Sequence, residues 1–173
     1  FVTEPTGKLV GQFDVTRVGA GYKARQLPNN LFDSADAWTS PVYAETGPDG
    51  AVWICDWYNL IVQHNPTPSV ASAGADFKTG KGGAYETPLR DVRYGRIYRV
   101  YPEATPDDVN PKLDVTDPGT LIAGLSHPNL FWRLQAQRLL VETRSTSAIA
   151  KLKEIANAGS GAAAFHAFGA LMG

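Results

Sequence analysis

The spacing of the apolar residues changes across one proline-rich stretch, and this divides the chain into a part suited to strands and a part suited to helices. Up to about residue 101 the apolar positions alternate or run in short blocks, whereas from about residue 118 they recur every three or four residues. Between them, Tyr101 to Pro118 (YPEATPDDVNPKLDVTDP) carries four prolines and four aspartates, the composition of a linker. The expected organisation is a β-rich domain over residues 1–104, a linker over 105–117 and an α-helical array over 118–173.

Within the β-rich part, Pro41 to Asn65 is the most informative stretch. Val42, Ala44 and Thr46 alternate with Tyr43 and Glu45, as in a strand with two different faces. Gly47-Pro48-Asp49-Gly50 has the chemistry of a tight turn: proline presets φ, aspartate bonds to nearby backbone and glycine accepts a positive φ. Ala51 to Cys55 is nearly unbroken apolar sequence, which predicts a strand covered on both faces. Asp56-Trp57-Tyr58-Asn59 follows, then Gln63-His64-Asn65. Polar and aromatic groups where a buried strand emerges can line a site, and Asp and Asn can equally well tie down a turn. Both readings stand at this point.

Elsewhere in this part, Phe1 to Thr3 reads as the end of a strand, Lys8 to Thr16 as one strand, and Gly19-Ala20-Gly21 as a hairpin turn into Tyr22–Gln26. Leu27 to Thr39 reads as irregular. Pro66 to Pro88 has no period, and Gly80-Lys81-Gly82-Gly83 within it lacks the spacing of a phosphate-binding loop. Arg96 to Tyr101 reads as a last strand, with Ile97 and Arg99 opposite Arg96, Tyr98 and Val100. Pro5-Thr6-Gly7-Lys8-Leu9 and Pro48-Asp49-Gly50-Ala51-Val52 share a Pro-x-Gly-x-aliphatic pattern 43 residues apart (48 minus 5), about the length of one four-stranded propeller blade.

In the helical part, Asp117-Pro118 is a cap and first-turn pair, and Asn129 can cap a helix reaching about Glu142. That helix shows two apolar stripes, Trp132/Ala136/Leu139/Leu140 and Leu130/Leu134/Val141, which suits a stacked array. Ser145 to Ala158 and Ala162 to Leu171 predict two more helices, parted by Gly159-Ser160-Gly161. The chain opens at Phe1 and closes at Gly173 within a helical pattern, and both ends read as cut from a longer polypeptide.

With 16 basic and 17 acidic residues the net charge is -1, which argues against nucleic-acid and membrane-surface partners. No stretch is long and apolar enough for membrane insertion. One cysteine, Cys55, excludes an internal disulfide, a cysteine zinc cluster and a haem-attachment motif within these residues; it is expected to be buried and inert. No metal ligand is assigned.

EPTGKLVG, SPVYAETGPDGAVWICDWYN, IVQHNPTP, GKGGAYETPLRD and YGRIYRV resemble the propeller of the large multidomain dehydrogenase-like, haem-binding proteins of planctomycetes and verrucomicrobia. LSHPNLFWRLQAQRLLVE resembles the first HEAT-type repeat that follows that propeller. The resemblance implies the closing part of a six-bladed β-propeller of the sugar-dehydrogenase type, followed by HEAT-like helices. It also implies an extracytoplasmic protein using pyrroloquinoline quinone and Ca²⁺, with a carbohydrate or alcohol substrate. Its partners would be the remaining blades of the same polypeptide and a c-type cytochrome domain carrying haem outside this chain. Where that family has His before the glycine of the last strand, this chain has Tyr94.

On this resemblance His64 is the candidate general base, taking a proton as a sugar hydroxyl loses hydride; the competing reading is a histidine hydrogen-bonded to loop backbone. Asp56, Tyr58, Asn59, Asn65, Arg90 and Arg96 are the candidate cofactor- or substrate-binding residues, the arginines because guanidinium forks bind carboxylates in pairs. Trp53, Trp57 and Tyr58 could stack on sugar rings or pack in a core. His127 and His166, Arg99 and Asp49 are read as structural. Two other functions remain open: a non-catalytic carbohydrate- or protein-binding propeller with a helical scaffold, and a docking module for a cytochrome.

Overall fold

The structure is a computed structural model that describes residues 1–60, 78–79, 85–86, 91, 93–103 and 110–173. It contains both antiparallel sheets and helices, a mixed β and α protein. It divides into two units, one of Phe1–Glu45 with Val52–Val100 and one of Thr46–Ala51 with Tyr101–Gly173.

The first unit holds two three-stranded sheets. β1 (Val2–Glu4), β2 (Leu9–Gly11) and β5 (Phe32–Asp33) form one, in the order β1-β2-β5. β6 (Pro41–Thr46), β7 (Val52–Asp56) and β10 (Arg96–Val100) form the other, in the order β10-β7-β6. β3 (Phe13–Val18) and β4 (Gly21–Gln26) make a separate hairpin, and β8 (Lys78–Thr79) pairs with β9 (Tyr85–Glu86) inside the stretch that shows no period in sequence. The two three-stranded sheets share one core: Val10, Val52 and Ile54 are buried, with Leu31, Phe32, Ala44, Tyr98 and Val100 packed against them.

Three expectations change here. Lys8 to Thr16 is not one strand. It leaves the first sheet after Gly11 and joins the β3–β4 hairpin at Phe13, while Gln12 between them accepts from the Leu27 amide at 2.9 Å. Period-2 patterning reports facing residues and is blind to such a change of sheet. β7 is covered on one face, since Val52, Ile54 and Asp56 are buried but Trp53 is 39 % exposed. Cys55 accordingly lies half-buried rather than buried. The alternation of β10 is as expected, with Ile97 and Arg99 exposed and Arg96, Tyr98 and Val100 turned toward the core side.

The second unit holds α1 (Pro118–Gly124), α2 (Leu130–Thr143), a short 3₁₀ turn (Thr146–Ala148), α3 (Ile149–Asn157) and α4 (Gly161–Met172). Asp117 caps α1 by accepting from Gly119 N at 2.9 Å, and Asn129 caps α2 by accepting from Phe131 N at 2.9 Å. α1 packs on α2, α2 on α4 and α3 on α4. Leu121, Leu125, Ala136, Leu140, Ala148, Leu152 and Ala167 form the core. The approach of α1 to α2 requires glycine at 124, because a Cβ there would stand 2.8 Å from that of Ala136 and 2.9 Å from Leu113 Cδ2. Leu113, from the stretch expected to be linker, packs on this core. The second apolar stripe of α2 stays open: Leu130 is 48 % exposed. Among the described residues no helix is long and apolar enough to cross a membrane.

His166 is the one buried histidine of the helices described. Arg133 Nε donates to its Nε2 at 3.3 Å, so its Nδ1 carries the proton and donates to Gln137 Oε1 at 2.8 Å. Burial first, and the Arg133 charge second, hold its pKa below the usual 6.5. A histidine with a depressed folded pKa supports stability above the unfolded value and loses that support as pH falls through it. The melting temperature of the helical unit, followed by circular dichroism at 222 nm, is therefore expected to drop between about pH 7.5 and 5.5. The drop shrinks in His166→Gln. Equal drops in both would remove His166 from the account.

Candidate functional site

The DWYN turn forms because Asp56 sits at the buried end of β7. Its Oδ1 accepts from the Ser40 amide at 2.7 Å and the Tyr58 amide at 2.8 Å, and Tyr98 OH donates to its Oδ2 at 3.3 Å. Ser40 is itself buried, donating Oγ to the Asn59 carbonyl at 2.6 Å and accepting at its own carbonyl from Trp57 N at 2.9 Å. Asn59, 1 % exposed, accepts at Oδ1 from Asp91 N at 3.0 Å and donates Nδ2 to the Asp91 carbonyl at 3.1 Å. Asp56 and Asn59 are thus tied into the protein, Asp56 to the Thr39-Ser40 segment and Asn59 to the start of the segment leading into β10. These bonds support the turn-anchoring reading of both.

The anchored turn presents aromatic groups. Tyr58 has φ 54°, a left-handed conformation uncommon for a bulky residue, and its ring is half-buried. The ring stacks on Trp38 with centroids 5.8 Å apart, and the Arg96 guanidinium lies over the ring, 3.8 Å from its centroid. Arg96 Nη1 donates to Tyr98 OH at 3.1 Å and to Asp36 Oδ2 at 3.3 Å. Arg96 and Asp36 have side chains 39 % and 35 % exposed, so solvent screens this pair. The Tyr98 hydroxyl, the Tyr58 ring and Asp36 all favour the charged guanidinium and raise its pKa. Asp36 is held below the usual carboxylate range chiefly by the Trp38 amide, with Arg96 and Tyr58 adding to it. Trp57 is 41 % exposed.

The result is a rim of Trp38, Tyr58 and Arg96 with Asp36 beside it, backed by the Arg96–Tyr98–Asp56 chain of hydrogen bonds. An aromatic ladder capped by a guanidinium can hold a flat, hydroxyl-bearing or anionic group. Of the sequence candidates, Asp56, Tyr58, Asn59 and Arg96 come together here, while His64, Asn65 and Arg90 lie outside the described residues. Asp36, Trp38, Ser40 and Tyr98 escaped the sequence reading. Arg96 and Asp36 are 60 residues apart, and no local pattern joins them. Arg99 stands on the opposite face of β10, and Arg93 is exposed next to a turn in which Asp91 Oδ2 accepts its amide at 2.8 Å.

Asp49 and His127 hold the structural places read for them. Asp49 closes its turn by accepting from Ala51 N at 3.1 Å, and His127 Nδ1 accepts from Asn129 N at 3.0 Å at the entry to α2.

A tricarboxylate quinone needs several guanidinium forks, and at this rim the described residues supply Arg96, already bonded to Asp36 and Tyr98. Among the described residues no group of three or more His, Cys, Asp or Glu could hold a metal ion. The described residues therefore fit neither the quinone nor Ca²⁺ by themselves.

The family model of a domain of unknown function, DUF7133, matches residues 1–104. No curated protein and no solved structure matches the chain.

Proposed function

The chain belongs to the DUF7133 family, and from that premise we propose that it is part of an extracytoplasmic, quinone-linked sugar or alcohol dehydrogenase-like protein passing electrons to a c-type haem domain outside this chain. In this reading the first unit contributes the closing blades of a sugar-dehydrogenase-like β-propeller and the second begins a HEAT-like array. Two features support the architecture: two antiparallel sheets pack through Val10, Val52 and Ile54, and the hairpins β1–β2 and β6–β7 turn on the same Pro-x-Gly pattern.

The single observation carrying the function is the Trp38–Tyr58–Arg96 ladder at the end of β7, immediately before the segment bearing His64. A sugar ring would lie along the exposed edge of the ladder, the remaining Arg96 donors would bind its oxygens or a carboxylate, and His64 would accept the hydroxyl proton. The quinone, when bound, would supply the hydride acceptor, and it and Ca²⁺ would need ligands beyond the described residues.

The test is dye-linked dehydrogenase activity of the full-length polypeptide on a sugar panel, with and without added quinone and Ca²⁺. Turnover dependent on the quinone is expected, falling by about 10²-fold or more in His64→Ala. Unchanged turnover in that variant removes His64 as the base. Folded, haem-loaded protein without turnover favours a carbohydrate- or protein-binding propeller instead. One observation favours that second reading: Asp56 and Asn59 are engaged in anchoring the turn, and the carboxylate left at the rim, Asp36, is paired with Arg96.

A further inference from the structure

The Arg96 guanidinium is fixed at the rim by three contacts. Both hydrogens of Nη1 are taken, one by the Tyr98 hydroxyl at 3.1 Å and one by Asp36 Oδ2 at 3.3 Å, and the group lies over the Tyr58 ring. Tyr98 carries the anchor inward by donating to the buried Asp56. A guanidinium has five N–H donors, so three remain. Among the described residues nothing accepts from Nε or Nη2, which project from one edge of the plane. That edge is the fork that meets the two oxygens of a carboxylate in parallel bonds. The side chain is partly exposed.

Asp36 limits how much charge a ligand of this fork can carry. It holds the same guanidinium from the Nη1 side, and the Trp38 amide and Arg96 keep it ionised. A ligand with several negative charges would meet Asp36 across a single cation. One carboxylate leaves the arginine with one anion on each edge. A pair of neutral hydroxyls could also reach the fork, but it brings neither the charge nor the planar two-oxygen geometry.

We propose that the Nε/Nη2 edge of Arg96 is the subsite for the single carboxylate of an acidic sugar, a uronate or an aldonate. This rests on the sugar-binding part of the proposed function and narrows its ligand. Stacking on Tyr58 and the bonds to Tyr98 and Asp36 keep the fork from turning, so little freedom is lost when the acid docks. Tyr98 acts through Arg96 and is a positioning residue.

Isothermal titration of the full-length polypeptide with glucuronate, its methyl ester, glucose and glucose 6-phosphate tests this. The ester keeps the ring and removes the charge, and the phosphate places two charges at the same end of the sugar. Glucuronate is expected to bind at least about tenfold tighter than the ester and glucose. Arg96→Lys keeps the charge and loses the fork, and is expected to narrow that gap to below about threefold. Asp36→Asn is expected to tighten glucose 6-phosphate more than glucuronate, because it removes the competing anion. Equal affinity for glucuronate and its ester overturns the proposal, and this comparison needs no variant to fold. An unchanged gap in folded Arg96→Lys, or no change for either anion in Asp36→Asn, overturns it as well. Dye-linked turnover on the same samples separates the two readings. Glucuronate binding without turnover keeps the fork and removes the dehydrogenase; turnover with no gap between glucuronate and its ester does the reverse.

Discussion

Replacing Asp56 by alanine is expected to destabilise the sheet unit by about 3 kcal/mol, the cost of stranding partners of a buried carboxyl group. Three donors lose their acceptor at once: the amides of Ser40 and Tyr58 and the Tyr98 hydroxyl. Asp56 is 3 % exposed, so water does not reach in to replace it. Asp56→Asn is the informative companion. Its amide oxygen can keep the Ser40 and Tyr58 amides, while its NH₂ cannot accept from Tyr98, and about 1 kcal/mol is expected. Urea unfolding followed by tryptophan fluorescence measures both, since Trp38 and Trp57 lie beside the bonds removed. A cost below about 1 kcal/mol for the alanine variant would show that the turn does not depend on Asp56 and would return that carboxyl to the list of groups available to a ligand.

The second large effect is expected at Asn129, which has two roles in the helical unit. Its Oδ1 caps α2 and its Nδ2 donates to the Gly47 carbonyl at 2.8 Å, with the residue 8 % exposed. Trp132 Nε1 donates to the neighbouring Pro48 carbonyl at 2.9 Å, so the β6–β7 turn belongs to the helical unit. Asn129→Ala removes a cap, worth about 1 kcal/mol, and strands the Gly47 carbonyl, for a total of about 2–3 kcal/mol. Glycine caps a helix almost as well as asparagine, so Asn129→Gly recovers the cap term alone. The difference between the two variants in thermal melts at 222 nm measures the cap, and what remains measures the bond to the turn. If glycine restores full stability, the Gly47 bond contributes nothing.

Much of this molecule is legible in its amino acids, for local reasons. The helix starts at Asp117-Pro118 and Asn129 are read correctly because a cap needs only a side chain and an amide two residues later. The Gly47–Gly50 turn follows in the same way, with Gly50 at φ 75° and the Asp49 side chain bonded to Ala51 N. The alternation along β10 follows from the two-residue period of a strand. The change of period across the proline-rich stretch separates sheets from helices, although Leu113 and Asp114 within it are built onto the helical unit, Asp114 N donating to Thr120 Oγ1 at 2.9 Å.

Other features were decided only by tertiary contact. Whether Asp56 and Asn59 bind a ligand or anchor a turn depended on where Ser40 and Asp91 arrive, 16 and 32 residues away. The rim of the candidate site is assembled from Asp36, Trp38, Tyr58 and Arg96, which lie on three separate segments and share no spacing. The division of Lys8–Thr16 between two sheets is equally silent in an alternating pattern. Local chemistry, in caps, turns and periods, acts over a few residues and is therefore written in the sequence. The pairing of distant polar groups depends on which surfaces pack together, and that is settled only when Val10, Val52 and Ile54 close the core beneath them.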